Sequence, residues 1–409
     1  MLAKMSFMQN VKNIQEVEVG HKRVLIRVDF NVPLDENLNI TDDTRIRESL
    51  PTIQFCIDNK AKDIILVSHL GRPKGVEEKL SLKPFLKRLE RLLNHEVVFS
   101  QNIAQLKQAL NENAPTRIFL LENIRFLKGE EENDENLAKD LASLCDVFVN
   151  DAFGTSHRKH ASTYGTAKFA PIKVSGFLLK KEIDSFYQAF NHPLRPLLLI
   201  VGGAKVSSKL TLLKNILDLI DKLIIAGAMS NTFLKALGYD VQDSPVEDAL
   251  IKDALELLQS AKEKKVKVYL PIDAVTTDDI LNPKHIKISP VQDIEPKHKI
   301  ADIGPASVKL FSEVIESAPT IIWNGPLGVH EKQEFARGTT FLAHKIADTY
   351  AFSLIGGGDT IDAINRAGEK DNMSFISTGG GASLELLEGK ILPCFEVLDK
   401  RHNSKDRLW

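Results

Sequence analysis

At 409 residues the chain is longer than one ordinary hydrophobic core, so two domains of about 200 residues each are expected. A formal net charge of −2, with 43% hydrophobic and 26% charged residues, describes a soluble globular protein and argues against a nucleic-acid binder. Cys56, Cys145 and Cys394 are odd in number and widely spaced among apolar neighbours. They are expected as buried thiols in a reducing compartment, the cytoplasm, rather than as disulfides or metal ligands. Residues 1–10 hold no apolar run of signal-peptide length, and no run elsewhere nears the roughly 20 residues of a membrane span. Met5 and Met8 are alternative starts, which would leave the first residues as an extension without function.

Short apolar runs alternate with longer segments of helical period, the signature of βαβ units and a parallel sheet. In the first half, Arg23 to Val28 leads into Asp29-Phe30-Asn31-Val32-Pro33, and Ile64 to Val67 into Ser68-His69-Leu70-Gly71-Arg72-Pro73. Ile118 to Leu121 leads into Glu122-Asn123-Ile124-Arg125, and Val147 to Val149 into Asn150-Asp151-Ala152-Phe153-Gly154 and on to His157-Arg158. Any one of these loops would pass for a solvated turn, but open α/β sheets bind ligands at the carboxyl ends of their strands. Arg45, His69, Arg72, Arg125 and Arg158 supply cations suited to carboxylate and phosphate, with Asp29 and Asn31 available for hydroxyls. Arg45 differs from the rest in lying at a helix start behind the acidic Asp42-Asp43. This half is read as a site for a small, highly anionic molecule.

Leu178 to Phe190 has helical spacing without glycine or proline, so it is expected as a rigid connecting helix. Leu197 to Val201 then reads as a buried parallel strand, Gly202-Gly203 as a sharp turn, and Val206 onward as a helix, with Lys205 and Lys209 one helical turn apart. Alone, that stretch is matched by an ordinary βα turn with two surface lysines. It fits neither the Walker pattern nor the dinucleotide glycine pattern. The later strands lead into Gly227-Ala228-Met229, Asn324-Gly325-Pro326 and Gly356-Gly357-Gly358-Asp359-Thr360. With Glu331, Lys205 and Lys209, this half is read as a nucleotide site in which one carboxylate holds magnesium. Residues 390–398 are apolar enough to pack rather than dangle. No internal repeat and no low-complexity segment is evident in the sequence.

Arg27 to Pro33, Ser68 to Pro73, Asn150 to Gly154, Gly202 to Val206, Trp323 to Pro326, Gly356 to Thr360 and Ser377 to Ser383 resemble, in that order, the phosphoglycerate kinase family, and the resemblance spans essentially the whole chain. It implies an α/β protein of two doubly wound parallel-sheet domains joined by a connecting helix, with the active site in the interdomain cleft. The implied divisions are 1–175 for 3-phosphoglycerate, 176–190 for the connecting helix, 191–390 for the nucleotide, and 391–409 returning to the first domain. The implied reaction is reversible phosphoryl transfer between 1,3-bisphosphoglycerate and Mg-ADP in glycolysis and gluconeogenesis, by a cytoplasmic monomer. By similarity, Asp29, Phe30, Asn31, Arg45, His69, Leu70, Gly71, Arg72, Arg125 and Arg158 hold the glycerate. Lys209, Asn324, Glu331, Gly357, Gly358, Asp359 and Thr360 hold ATP or ADP, with Asp359 the ligand of Mg2+. Arg45, Lys205 and the Gly379-Gly380-Gly381 turn surround the moving phosphoryl group, a task that needs alignment and positive charge rather than a catalytic base.

The sequence departs from the family pattern at Ser208, His330 and Cys394, and Ala226-Gly227-Ala228 is poorer in glycine than is usual. None of these removes a ligand named above. A nucleotide-dependent oxidoreductase would need Gly-x-Gly-x-x-Gly after a strand, which is absent, and a phosphosugar-binding regulator would need only one of the two sites.

Overall fold

The computed structural model describes residues 10–112 and 117–399. The alternative starts at Met5 and Met8 lie outside these residues, as does the end of the C-terminal segment beyond 399. The described chain forms two compact units, one of residues 10–184 with 391–399 and the other of residues 185–390.

In the first unit six strands form one parallel sheet: β1 Arg23–Arg27, β2 Asp63–Val67, β3 Val97–Ser100, β4 Arg117–Leu121, β5 Val147–Asn150 and β6 Ile172–Ser175. Their order is β3-β4-β2-β1-β5-β6. Helices cover both faces of such a sheet, so its inner strands are mainly hydrophobic, and all five residues of β2, Asp63 included, are buried. Val24, Ile26, Ile64, Leu66, Ile118, Leu120, Val147 and Val149 carry the core, with Phe30 stacked on Phe85 at a centroid separation of 6.5 Å. The strand order reverses between β1 and β5. Crevices for ligands open at that switch point, and the Asp29 and Asn150 loops lie there.

The C-terminal helix Pro393–Leu398 completes this unit. Phe395 stacks on Phe153 at 6.1 Å, the Cys394 amide donates to the Ser156 carbonyl at 3.2 Å, and Asp399 bridges to Val11. All three cysteines are free and buried.

The second unit is built around β7 Leu197–Val201, β8 Lys222–Ile225 and β9 Lys267–Tyr269. After these come β10 Asp273–Thr277, β11 Ile286–Pro290 and β12 Lys299–Ile303, then β13 Thr320–Asn324, β14 Phe352–Gly356 and β15 Phe375–Ile376. The parallel sheet runs β15-β14-β13-β7-β8-β9, and its order reverses between β13 and β7. Leu198, Ile200, Ile321, Trp323 and Ile355 pack against Phe311 and Leu342 from the covering helices. The helix Phe177–Asn191 runs unbroken past residue 184, where the two units divide.

Two expectations are corrected. The βα alternation does not persist throughout, because β10 pairs antiparallel with both β11 and β12 in a separate three-stranded sheet. The segment between β10 and β11, Asp278-Asp279-Ile280-Leu281-Asn282-Pro283-Lys284-His285, is turn-rich and too short for a helical crossover, which leaves only a hairpin connection. The helix expected from Val206 begins only at Leu210, after a turn closed by the Lys209 amide on the Val206 carbonyl at 2.9 Å. Lys205 and Lys209 therefore do not share a helix face.

Candidate active site

In the first unit the loops after β1 and β2 are tied together by side chains. Asp29, buried behind the Asp29–Asn31 turn, accepts from Arg45 Nη1 at 2.9 Å, and the same nitrogen reaches the Asn31 carbonyl at 3.1 Å. Asn31 Oδ1 accepts the Gly71 amide at 2.8 Å. Gly71 sits at φ +63°, and a Cβ there would lie 2.8 Å from Leu80, so the turn takes glycine on both counts. Its carbonyl accepts from Arg125 Nη1, which brings the loop after β4 to the same place. Arg72 is exposed, while Arg158 is half-buried, its Nε donating to His157 Nε2 at 3.2 Å. The Phe30 and Leu70 side chains are committed to the core, so only their backbone faces the loops.

Behind this rim lies a buried network that the sequence reading did not identify. Arg27, fully buried at the end of β1, donates through Nε to Ser162 Oγ at 2.9 Å and through Nη2 to His69 Nδ1 at 3.3 Å. Ser162 donates to Glu130 Oε1 at 2.6 Å, which brings a carboxylate to balance the arginine. A guanidinium only donates, so Nδ1 of His69 is the acceptor and Nε2 carries the proton. Burial, and then the nearby Arg27, Arg125 and Arg45, hold His69 well below its usual pKa, so it stays neutral. The available signal was an arginine at the end of an otherwise apolar strand, Val24-Leu25-Ile26-Arg27. Asp151, by contrast, is structural, since it accepts the Leu179 amide at 3.0 Å at the start of the helix Phe177–Asn191.

In the second unit the turns after β7, β13 and β14 interlock. A Cβ on Gly202 would fall 2.1 Å from the Pro326 carbonyl oxygen, so these backbones approach as only glycine allows. Lys209 folds inward, donating to the carbonyls of Gly202 and Asn324 at 2.8 Å each. Burial lowers its pKa to about 8, against the opposing pull of Asp359. Lys205 is exposed and forms no ion pair among the described residues. Thr360 is fully buried, its hydroxyl accepting the Gly325 amide at 2.6 Å, which fixes the β13 turn against the helix Gly358–Ala367. Gly357, at φ +92°, caps that helix, and the exposed Asp359 lies in its first turn. Gly380, at φ +50°, precedes the short helix Gly381–Leu387.

Beside these turns lies a cavity of about 250 Å³ lined by Gly203, Gly227, Pro326, Glu331 and Asp359. Glu331 is exposed and pairs with His330 Nδ1 at 3.3 Å, while His330 Nε2 meets Asp362 at 3.2 Å. No cluster of three metal-ligating side chains occurs among the described residues. A magnesium ion carried by nucleotide phosphates needs only one or two carboxylates, and Asp359 meets that requirement. Asp273 and Asp302, both buried in the same unit, do not. Asp273 is spent on the amides of Ala306 and Ser307, and Asp302 on those of Ile303 and Gly338.

All of these turns lie within a stretch of the chain that matches a known family. The family model for Phosphoglycerate kinase matches residues 14–390. The chain belongs to the phosphoglycerate kinase family. It is 98% identical over 402 residues to the phosphoglycerate kinase of Helicobacter pylori (strain J99), covering 98% of this chain and 100% of that one. It is 66% identical over 401 residues to that of Wolinella succinogenes, with 98% and 100% covered. The phosphoglycerate kinase structure from Coxiella burnetii superposes with a TM-score of 0.88 at 41% identity, over 96% of this chain and 99% of that one. The family's reaction, reversible phosphoryl transfer between 1,3-bisphosphoglycerate and ADP in glycolysis, is the activity of this chain. No helix among the described residues is long and apolar enough to cross a membrane.

Proposed function

We propose that each unit of this phosphoglycerate kinase holds one substrate and that the phosphoryl group passes directly in line between them. The observation that carries this reading is the contrast between the strand-end sites. One is a cation-rich rim built on Asp29, Arg45 and Arg125; the other is a set of glycine turns around Lys209 and Asp359. In the first, Asn31, His69 Nε2–H, Gly71, Arg72, Arg125 and Arg158 orient the carboxylate, hydroxyl and phosphate of 3-phosphoglycerate. In the second, the phosphates of ADP or ATP lie against the Gly357-Gly358 turn with Asn324 beside it. Glu331 takes the ribose hydroxyls, and Asp359 holds the magnesium that partly neutralises the phosphates.

The attacking oxygen is already anionic, so no side chain has to remove a proton. Arg45, Lys205 and the backbone amides at Gly380 and Gly381 place positive charge around the three equatorial oxygens of the moving phosphoryl group. The chain works as a monomer, and in the cytoplasm, a reducing compartment that suits three buried free thiols. The test is ATP-dependent phosphorylation of 3-phosphoglycerate, coupled to NADH oxidation by an added dehydrogenase, at varied magnesium. The wild type should turn over at low magnesium, and Asp359→Ala should need far higher magnesium while still binding 3-phosphoglycerate. Unchanged magnesium dependence would remove Asp359 from its role.

A further inference from the structure

The three-stranded sheet has two faces, and both line cavities. By strand alternation Ala274 and Ile300 face the nucleotide cavity, while Val275, Ile286 and Ile288 face away from it. On that far side the sheet meets the helices Pro305–Glu316 and Arg337–Ala347 around a second cavity of about 640 Å³. This size is well within the range of ligand pockets, about 300–1,000 Å³. The reaction described above makes no use of it.

The walls are apolar and incompletely covered. Ile286 remains 47% exposed, Ile288 57% and Phe341 52%. Three large apolar side chains left open in one concavity mark a surface that something else covers. The charge at its rim is one-sided. Lys309 projects from one helix and Arg337 and Lys345 from the other, against the single lining carboxylate of Glu334. Lys345 is paired with Glu316, but neither Lys309 nor Arg337 forms an ion pair among the described residues. An apolar hollow with unpaired cations at its mouth complements an apolar body ending in one anionic group. A cationic amphiphile would face repulsion there, and a fully polar anion would leave the apolar wall bare.

We propose that this cavity is a binding site for an amphipathic carboxylate, its acyl chain lying against Ile286, Ile288 and Phe341 and its carboxylate held by Lys309 and Arg337. The site is separate from the nucleotide cavity, so its occupancy does not require turnover.

The test is calorimetric titration of the full chain with sodium dodecanoate, kept below its micelle-forming concentration at fixed ionic strength. Binding should be one to one. Decanoate should bind about fifteenfold more weakly, at about fourfold per methylene. Dodecyltrimethylammonium should bind at least tenfold more weakly than dodecanoate. Phe341→Glu should weaken dodecanoate at least tenfold while kcat for phosphoryl transfer stays at the wild-type value, which also shows that the variant folds. Lys309→Glu combined with Arg337→Glu should reverse the preference in favour of the cationic amphiphile. The proposal is overturned if dodecanoate does not bind, if both charge types bind equally, or if the variants bind dodecanoate as the wild type does. It is also overturned if sedimentation shows a dimer that Phe341→Glu disperses, since a second copy of the chain would then be the occupant.

Discussion

Lys209 is the titratable group whose folding has the clearest consequence for ligand binding. Burial lowers its pKa from 10.5 to about 8, so the folded chain holds this proton less tightly than the unfolded chain does. The stability linked to Lys209 is therefore lowest below pH 8 and rises as pH climbs from about 8 to about 10.4. If Lys209 holds the nucleotide phosphates as proposed, binding has the opposite sign, because phosphates favour the ammonium form. ADP affinity should hold steady up to about pH 8 and then fall, by at most tenfold per pH unit, with proton uptake on binding seen near pH 8.5 as a buffer-dependent heat. Lys209→Met should bind more weakly and lose this pH dependence. A wild-type ADP affinity that stayed constant from pH 7 to 9.5 would take Lys209 away from the phosphates. Arg45 and Lys205 are expected to act on the transition state instead. Changing either to Ala should cut kcat by about 10²-fold or more with a smaller effect on KM, as for the loss of one strong electrostatic donor. A Lys205→Ala enzyme with full kcat and weakened binding would contradict that assignment.

At the scale of elements, the turn after β7 is a fixed cradle rather than a flexible loop. The Gly203 amide donates to the Pro326 carbonyl at 2.8 Å and the Gly202 amide to the Asn324 carbonyl at 3.0 Å, so β7 and β13 leave the sheet as one layer. Gly202→Ala should push these turns apart and weaken ADP binding at least tenfold, with the circular dichroism of the folded chain retained and Tm lowered. Unaltered ADP affinity would show that the close approach has no part in holding phosphate. The four inner strands of each parallel sheet, unlike the edge strands β3, β6, β9 and β15, were legible because burial on two faces leaves unbroken apolar runs such as Leu197–Val201. β11 was not, since Ile286-Lys287-Ile288 alternates along an exposed edge where only Ser289 is buried, and gives a weaker pattern. The helix start at Leu210 was hidden because Val206 has the right period for a helix, while the lysine three residues later turns inward to bind carbonyls. Periodicity registers apolar spacing and cannot register a buried lysine. The Arg27–Ser162–Glu130 network escaped for a related reason: its members lie 135 and 32 residues apart, and only the sheet brings them together.

At the scale of the whole molecule, the reaction imposes a condition that neither unit satisfies alone. On the assignment proposed above, the cations for 3-phosphoglycerate lie at strand ends of the first sheet and the turns for the nucleotide at strand ends of the second, and each unit is compact. The reacting oxygen and phosphorus must come within about 3 to 3.5 Å, aligned and screened from water that would otherwise take the phosphoryl group. A ligand shifts a conformational balance only by the contacts it makes in one state and not in the other. On that assignment either substrate by itself would meet the residues of one unit, so each alone would provide little of that difference. The two substrates together, on the same assignment, share Arg45 of one unit and Lys205, Gly380 and Gly381 of the other, and so provide it. Small-angle scattering should accordingly show the radius of gyration falling most when 3-phosphoglycerate and a magnesium nucleotide are both bound, and only slightly with either one. Spectroscopic labels placed one in each unit should move together in the same order. An enzyme that stayed active while its radius of gyration and label distances were unchanged across the free, singly loaded and doubly loaded states would rule out closure as part of the catalytic cycle.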